Sequence, residues 1–125
     1  MSIGESRYPP VDLPATPYAG EIRAYCLDLP AAWEDYPWGD IVYKVGTKMF
    51  AALGGEDATS VTVKATPEDA EVLVQMPHIA VAPYVGRYGW VTVAIADDAA
   101  LDQAMALISM SYDLVKRGGS RKRQR

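Results

Sequence analysis

The chain has 125 residues, of which 50% are hydrophobic and 22% are charged, and its formal net charge is −4. This length is typical of one domain, and the apolar content excludes disorder as the main state. The single cysteine cannot form an internal disulfide. No apolar run approaches the roughly 20 residues that span a membrane, and the first residues do not resemble a signal peptide. We therefore expect a cytoplasmic protein without membrane association.

Proline-rich residues 1–15 lack helical or strand periodicity and predict an extended arm. Residues 16–30 predict the first helix, because Thr16 is placed to cap it and Pro17 suits its first position. The predicted inner face of this helix consists of Ile22, Tyr25, Cys26 and Leu29.

Residues 31–40 predict irregular structure or a short strand. Residues 41–45 alternate between the two faces of a strand, and the largely apolar residues 48–53 follow after Gly46–Thr47. Two strands joined by such a short glycine turn are typical of a β-hairpin. Residues 59–65 predict a third strand, so the three strands form an antiparallel meander.

The second half of the chain predicts a helix, a strand and a final helix. Thr66 caps the first of these helices, and a loop over residues 83–89 leads into the strand. The final helix is amphipathic and is predicted to end at Gly118 and Gly119. We expect an arm over residues 1–15, one domain over residues 16–117 and a flexible basic tail over residues 118–125.

The charges are distributed unevenly along the chain. The last ten residues hold six of the twelve Lys and Arg residues and none of the sixteen acidic ones. Residues 1–115 hold the other six basic residues and all sixteen acidic ones, which is a net charge of −10. The acidic body repels polyanions except at a local basic patch, whereas the tail attracts them.

Candidate catalytic residues are few. His78 is the only histidine and has no partner at an interpretable spacing, and Cys26 is expected in the core. The acidic clusters lie at helix starts and turns without EF-hand spacing, and no phosphate-binding glycine motif is present. We therefore expect no enzyme, no metal site and no cofactor.

Basic and aromatic residues interleave in the strands and in the loop before the last strand. Proteins that bind nucleic acids use rings to stack on bases and cations to contact phosphates, although aromatic residues also fill ordinary small cores. The candidate nucleic-acid-binding residues are Lys44, Lys48, Lys64, Tyr84, Arg87 and Trp90, together with Arg121, Lys122 and Arg123 of the tail.

Five segments together resemble the MmcQ/YjbR family of small bacterial proteins. They are YPWG (Tyr36–Gly39), YKVGTKMFA (Tyr43–Ala51), VTVKATPEDAEVL (Val61–Leu73), PYVGRYGWVTV (Pro83–Val93) and SYDLV (Ser111–Val115). The resemblance implies a CyaY-like (frataxin-like) α+β domain of two layers, with an antiparallel sheet packed against N- and C-terminal helices.

Members of this family are often described as DNA-binding through paired wings. On this chain the resemblance implies wings at the Gly46–Thr47 hairpin and at the loop Pro83–Gly89. Phosphate contacts would come from Lys44, Lys48 and Arg87 with Lys64 beside them, while Tyr84 and Trp90 support or stack.

A frataxin-like fold also implies an acidic iron-binding ridge on the first helix. That helix carries only Glu21 and Asp28, so we expect no iron site. We predict a non-enzymatic DNA-binding or regulatory module whose binding is weak and salt-sensitive. The alternative is a protein-interaction module that uses the acidic surface and the aromatic residues around Trp38 and Trp90.

Overall fold

The computed structural model describes residues 7–54, 59–82 and 88–121, with the backbone alone for Pro17 and for residues 119–121. These residues form three α-helices, one short 3₁₀ helix and six β-strands. In chain order they are α1 (Pro17–Asp28), β1 (Ala32–Asp35), the 3₁₀ helix (Pro37–Gly39), β2 (Ile41–Val45), β3 (Lys48–Gly54), β4 (Ser60–Lys64), α2 (Pro67–Leu73), β5 (Ile79–Val81), β6 (Trp90–Ala94) and α3 (Asp98–Arg121).

The six strands form one sheet in the order β1-β2-β3-β4-β6-β5, and every neighbouring pair is antiparallel. The predicted meander is β2-β3-β4, and β1 extends it at one edge. Helix α3 packs across the middle of the sheet, while α1 contacts β1 and α3. This arrangement confirms the predicted α+β fold, in which an antiparallel sheet packs against N- and C-terminal helices.

The core lies between the helices and one face of the sheet, as the period-two burial of the strands requires. In β4, for example, Val61 and Val63 are buried, whereas the residues between and beside them are half-buried. The largest fully buried side chains include Tyr43, Phe50, Ile22, Ile108, Val91 and Val93.

Helices α1 and α2 begin at Pro17 and Pro67 as the sequence predicts, but the Thr16 side chain does not form the predicted capping hydrogen bond. The Thr66 hydroxyl accepts a hydrogen bond from the Asp69 amide at 3.1 Å, and an Asp97 carboxylate oxygen accepts one from the Ala100 amide at 2.8 Å. Helix α3 continues to Arg121 instead of ending at Gly118 and Gly119 as predicted. Glycine lowers helix propensity by only about 1 kcal/mol, and it ends a helix mainly when it adopts the left-handed conformation. Among the helices of residues 7–54, 59–82 and 88–121, none combines the length and the apolar composition of a membrane span.

A β-bulge in β3 interrupts the regular pairing of the sheet. Tyr43 opposes Ala51, but the next residue, Lys44, opposes Met49, so Phe50 is an extra residue in β3. The paired register of β3 with β4 begins only at Ala51. The backbone groups beside the bulge therefore need another partner.

The hydroxyl of Ser111 on α3 supplies that partner. It donates a hydrogen bond to the Phe50 carbonyl at 2.6 Å and accepts one from the Lys64 amide at 2.9 Å. Ser111 is fully buried, so bulk water does not compete for these two hydrogen bonds. One helix side chain thus joins β3 to β4 where their own ladder is broken.

We expect Ser111→Ala to lower the free energy of unfolding by about 2–4 kcal/mol, because it leaves two buried backbone groups unpaired. Urea unfolding followed by circular dichroism measures the change. Ser109→Ala is the matched control on the same helix, since the Ser109 hydroxyl bonds to the half-buried Tyr25 hydroxyl. Equal losses in the two variants would contradict this role of Ser111.

Candidate nucleic-acid interface

The face of the sheet that points away from the helices is called the open face here. Val63 and Val91 lie in the core, so their neighbours Lys64 and Trp90 lie on the opposite face. Three large half-buried residues of this face, Trp33, Met49 and Trp90, are not packed against the core cluster.

A row of aromatic and basic residues crosses the open face, and it is called the Trp–Lys row. Trp33 of β1 pairs with Lys44 of β2, which pairs with Met49 of β3, while Lys64 of β4 pairs with Trp90 of β6. Neighbouring strands lie about 4.8 Å apart, so this row of five strands spans roughly 19 Å.

The two lysines belong to one row because of the strand register. Val42, Ala52 and Thr62 oppose each other across β2, β3 and β4. Since β2 and β4 run in the same direction, Lys44 and Lys64 each lie two residues beyond this level. One strand, β3, therefore lies between the two lysines, and their backbones are roughly 10 Å apart.

The Lys44 end of the row is held by an ion pair. The Lys44 Nζ lies 2.6 Å from Oδ2 of Asp35, whose side chain is only 4% exposed. The same Nζ lies 5.3 Å from the centre of the Trp33 ring, and the Trp33 Nε1 donates a hydrogen bond to the Gly46 carbonyl at 2.9 Å. The charge of Lys44 is therefore largely compensated within the protein.

At the other end, Trp90 lies directly opposite Lys64 because of a close backbone approach. Gly89 has a φ of +95°, and a Cβ there would lie 2.2 Å from the Ala65 carbonyl oxygen. The Ala65 amide donates a hydrogen bond to the Gly89 carbonyl at 2.9 Å. Only glycine permits this contact, which sets the register at the start of β6.

Lys64 is the uncompensated cation of the row. Within the described parts of the chain, ion pairs join Arg23 to Glu34 and Lys44 to Asp35, and Lys64 takes part in neither. Among the strand residues on the open face, Asp35 is the only carboxylate. With Lys44 and Lys64 the strands of this face carry a net charge of +1, in contrast to the acidic body. The carboxylates of the described helices are Glu21, Asp28, Glu68, Asp69, Glu71, Asp98, Asp102 and Asp113.

The other candidate residues lie elsewhere. Lys48 is exposed at the start of β3, but its register partner Val45 packs against the core, so Lys48 belongs to the helix side of the sheet. Arg121 ends α3 and is described by its backbone alone. Tyr84, Arg87, Lys122 and Arg123 lie outside the described residues, as does most of the second predicted wing.

Two tyrosines of the aromatic set are engaged by Glu34 on the helix side of the sheet. The Tyr36 and Tyr43 hydroxyls donate hydrogen bonds to the Glu34 carboxylate at 2.5 and 2.9 Å, and the Arg23 Nε lies 3.3 Å from it. The hydrogen bond to Glu34, followed by desolvation, raises the pKa of Tyr36 to about 12. Burial raises the pKa of Tyr43, and the negative charge of Glu34 raises it further.

Cys26 and His78 are the two side chains that the sequence offers as catalytic candidates. Cys26 is fully buried as predicted, and burial together with the charge of Glu34 raises the pKa of its thiol. The His78 Nε2 lies 2.5 Å from Oε1 of Gln103. His78, Gln103 and Asp97 line a cleft of about 290 Å³ with four alanines, and no Ser, Cys or Lys lines it. Within residues 7–54, 59–82 and 88–121, no three His, Cys, Asp or Glu side chains are grouped for metal binding.

We expect the Tyr36 hydrogen bond to make stability depend on alkaline pH. The folded-state pKa of about 12 exceeds the ordinary value of 10.0, so the contribution is complete below pH 10 and is lost as the pH rises through 12. Tyr36→Phe should therefore show a smaller fall in the urea midpoint from pH 9 to pH 12 than the unmodified chain. Parallel pH profiles for the two proteins would contradict the assignment.

The comparisons with known proteins agree with this architecture. The sequence model of the YjbR family matches residues 27–114. A crystal structure of the Deinococcus radiodurans protein DR2400, with domain DUF419, superposes with a TM-score of 0.69 at 29% identity over 80% of this chain and 79% of that one. A Pseudomonas syringae protein superposes with a TM-score of 0.59 at 19% identity over 77% of this chain and 97% of that one. No curated protein matches the sequence. Because the family model covers more than half of the residues, the chain belongs to the YjbR family.

Proposed function

We propose that this protein is a non-enzymatic nucleic-acid-binding module that uses the open face of its sheet. The observation that carries the proposal is the Trp–Lys row, which combines rings and cations on the sheet face opposite the core cluster and the described helices. Rings stack on bases and lysines contact phosphates, which are the two components of sequence-independent binding.

The distribution of charge favours this face over the surfaces formed by α1 and α2. The carboxylates lie mainly on the helices and turns, where they repel phosphate, whereas the strands of the open face are weakly positive. Lys64 can approach a phosphate without breaking an ion pair to any residue that the structure describes. Lys44 would have to share its ammonium group with Asp35, so it contributes less.

The proposed binding is weak and salt-sensitive. Each phosphate neutralised by a cation adds about −0.9 to the slope of log K against log salt for duplex DNA and about −0.7 for a single strand. Two cations on the open face therefore give a shallow slope. The basic residues of the tail add contacts without sequence preference.

We expect Lys64→Ala to weaken binding to a fluorescein-labelled 20-mer DNA several-fold and to reduce the salt slope by about 0.7–0.9. Fluorescence anisotropy between 20 and 200 mM NaCl measures both quantities. Lys48→Ala is the matched control, because it removes the same charge from the other side of the sheet. Equal effects of the two substitutions would contradict a role for the open face.

The contribution of the tail is separated with a variant in which Arg121, Lys122, Arg123 and Arg125 are replaced by Ser. We expect this variant to retain residual binding that Lys64→Ala removes. If binding disappears with the tail charges alone, the affinity belongs to a generic polycation and the proposal fails.

The second candidate function is protein interaction through Trp38, and one specific observation favours it. Trp38 is 88% exposed and has a left-handed backbone with a φ of 57°, between Pro37 and Gly39. Its ring lies 5.7 Å from that of Tyr8. An exposed tryptophan on a constrained turn is typical of an interface anchor.

We expect Trp38→Ala to remove protein partners captured by the tagged chain from a bacterial lysate, as measured by quantitative mass spectrometry. Val72→Ala is the control, since Val72 is 62% exposed on α2 and lies outside the turn. Identical sets of captured proteins for the two variants would exclude Trp38 as an anchor.

A further inference from the structure

We infer that the open face selects single-stranded over double-stranded nucleic acid, with a base stacked on Trp90 and the adjoining phosphate held by Lys64. This inference rests on the proposed function and names its ligand class. It follows from three features of the described residues: the small charge of the face, the position of the Trp90 ring and the polar row next to it.

The small charge argues against a duplex as the preferred ligand. Sequence-independent binding of a duplex depends on the number of phosphates that the protein neutralises. The strands of the open face provide two lysines, and Asp35 compensates one of them at 2.6 Å. Most of the affinity of this face must therefore come from contacts other than charge.

Stacking on an aromatic ring supplies such contacts, but only for unstacked bases. In a duplex the base faces are already covered by neighbouring bases, so an indole on a flat sheet cannot reach them. A single strand can turn its bases onto the sheet, which is how sheet-based modules bind RNA. Trp90 is half-buried and lies directly opposite Lys64, so a base on the ring has a cation beside it.

The neighbouring row adds hydrogen-bonding groups for a base edge. The Thr62 and Thr92 hydroxyl oxygens lie 2.8 Å apart, two residues from Lys64 and Trp90 along their strands. One hydroxyl proton is used between the two oxygens, which leaves the other for an acceptor on the ligand. This pair lies on the same face as Trp90 and is half-buried.

The opposite end of the row is less suited to bind a base. The Lys44 ammonium group already lies over the Trp33 ring, and the Trp33 Nε1 donates a hydrogen bond to the Gly46 carbonyl. These contacts order the Trp33 end before any ligand arrives. The Trp90 end is therefore the position where a base stacks. Trp33 and Lys44, whose contacts are already formed, do not stack on a base.

The test uses the full chain and a labelled 12-nucleotide DNA of mixed sequence, alone and annealed to its complement, in 50 mM NaCl. We expect the single strand to bind at least five-fold more tightly, and Trp90→Leu to weaken single-strand binding about ten-fold with little effect on the duplex. Trp38→Leu is the control, because Trp38 lies near the opposite end of β2 from Lys44. Thermal melts check that each variant is folded.

A second readout needs no substitution at Trp90. Stacking quenches indole emission, so saturation with unlabelled oligo(dT) should reduce tryptophan fluorescence in the unmodified chain and in Trp38→Leu by similar absolute amounts. Duplex binding equal to or tighter than single-strand binding, or binding without quenching, would overturn this inference while leaving the proposed function intact. Absence of binding to both nucleic acids would overturn both.

Discussion

The buried hydroxyl of Ser111 holds together the part of the sheet on which the rest of the molecule depends. The bulge at Phe50 places an extra residue in β3 and leaves the Phe50 carbonyl and the Lys64 amide without a regular ladder bond. Ser111 satisfies both groups from α3. Because unpaired buried backbone groups are costly, this hydroxyl stabilises the bulge.

The bulge in turn determines which residues of β3 lie on the open face. It lets two consecutive residues, Phe50 and Ala51, lie fully buried, and it places Met49 opposite Lys44. Phe50 packs edge-on against Tyr112 of α3, with ring centres 5.3 Å apart. The same local irregularity thus packs Phe50 against α3 on one face and brings Met49 into the Trp–Lys row on the other.

The protein separates its charges by layer. Its helices carry most of the described carboxylates, while Asp35 on the open face is buried and paired with Lys44. The Glu34 carboxylate, which faces the helices, is engaged by two tyrosines and Arg23. As a result, the sheet offers a weakly cationic aromatic surface despite the net charge of −10 over residues 1–115. This separation is the physical basis of the proposed nucleic-acid binding.

The sequence alone determined the elements whose signals are local. Gly46–Thr47 between alternating residues predicted the hairpin, Thr66 with Pro67 predicted the start of α2, and the apolar face of α1 placed Cys26 in the core. Tertiary structure alone decided that Lys64 shares a face with Lys44 and that Lys48 does not. It also decided that Asp35 compensates Lys44 and that Ser111 bridges two strands, through hydrogen bonds to residues 47 and 61 positions away. These features depend on strand register, in which a shift of one residue moves a side chain to the other face, and no local pattern in the chain specifies the bulge that puts Lys48 on the helix side.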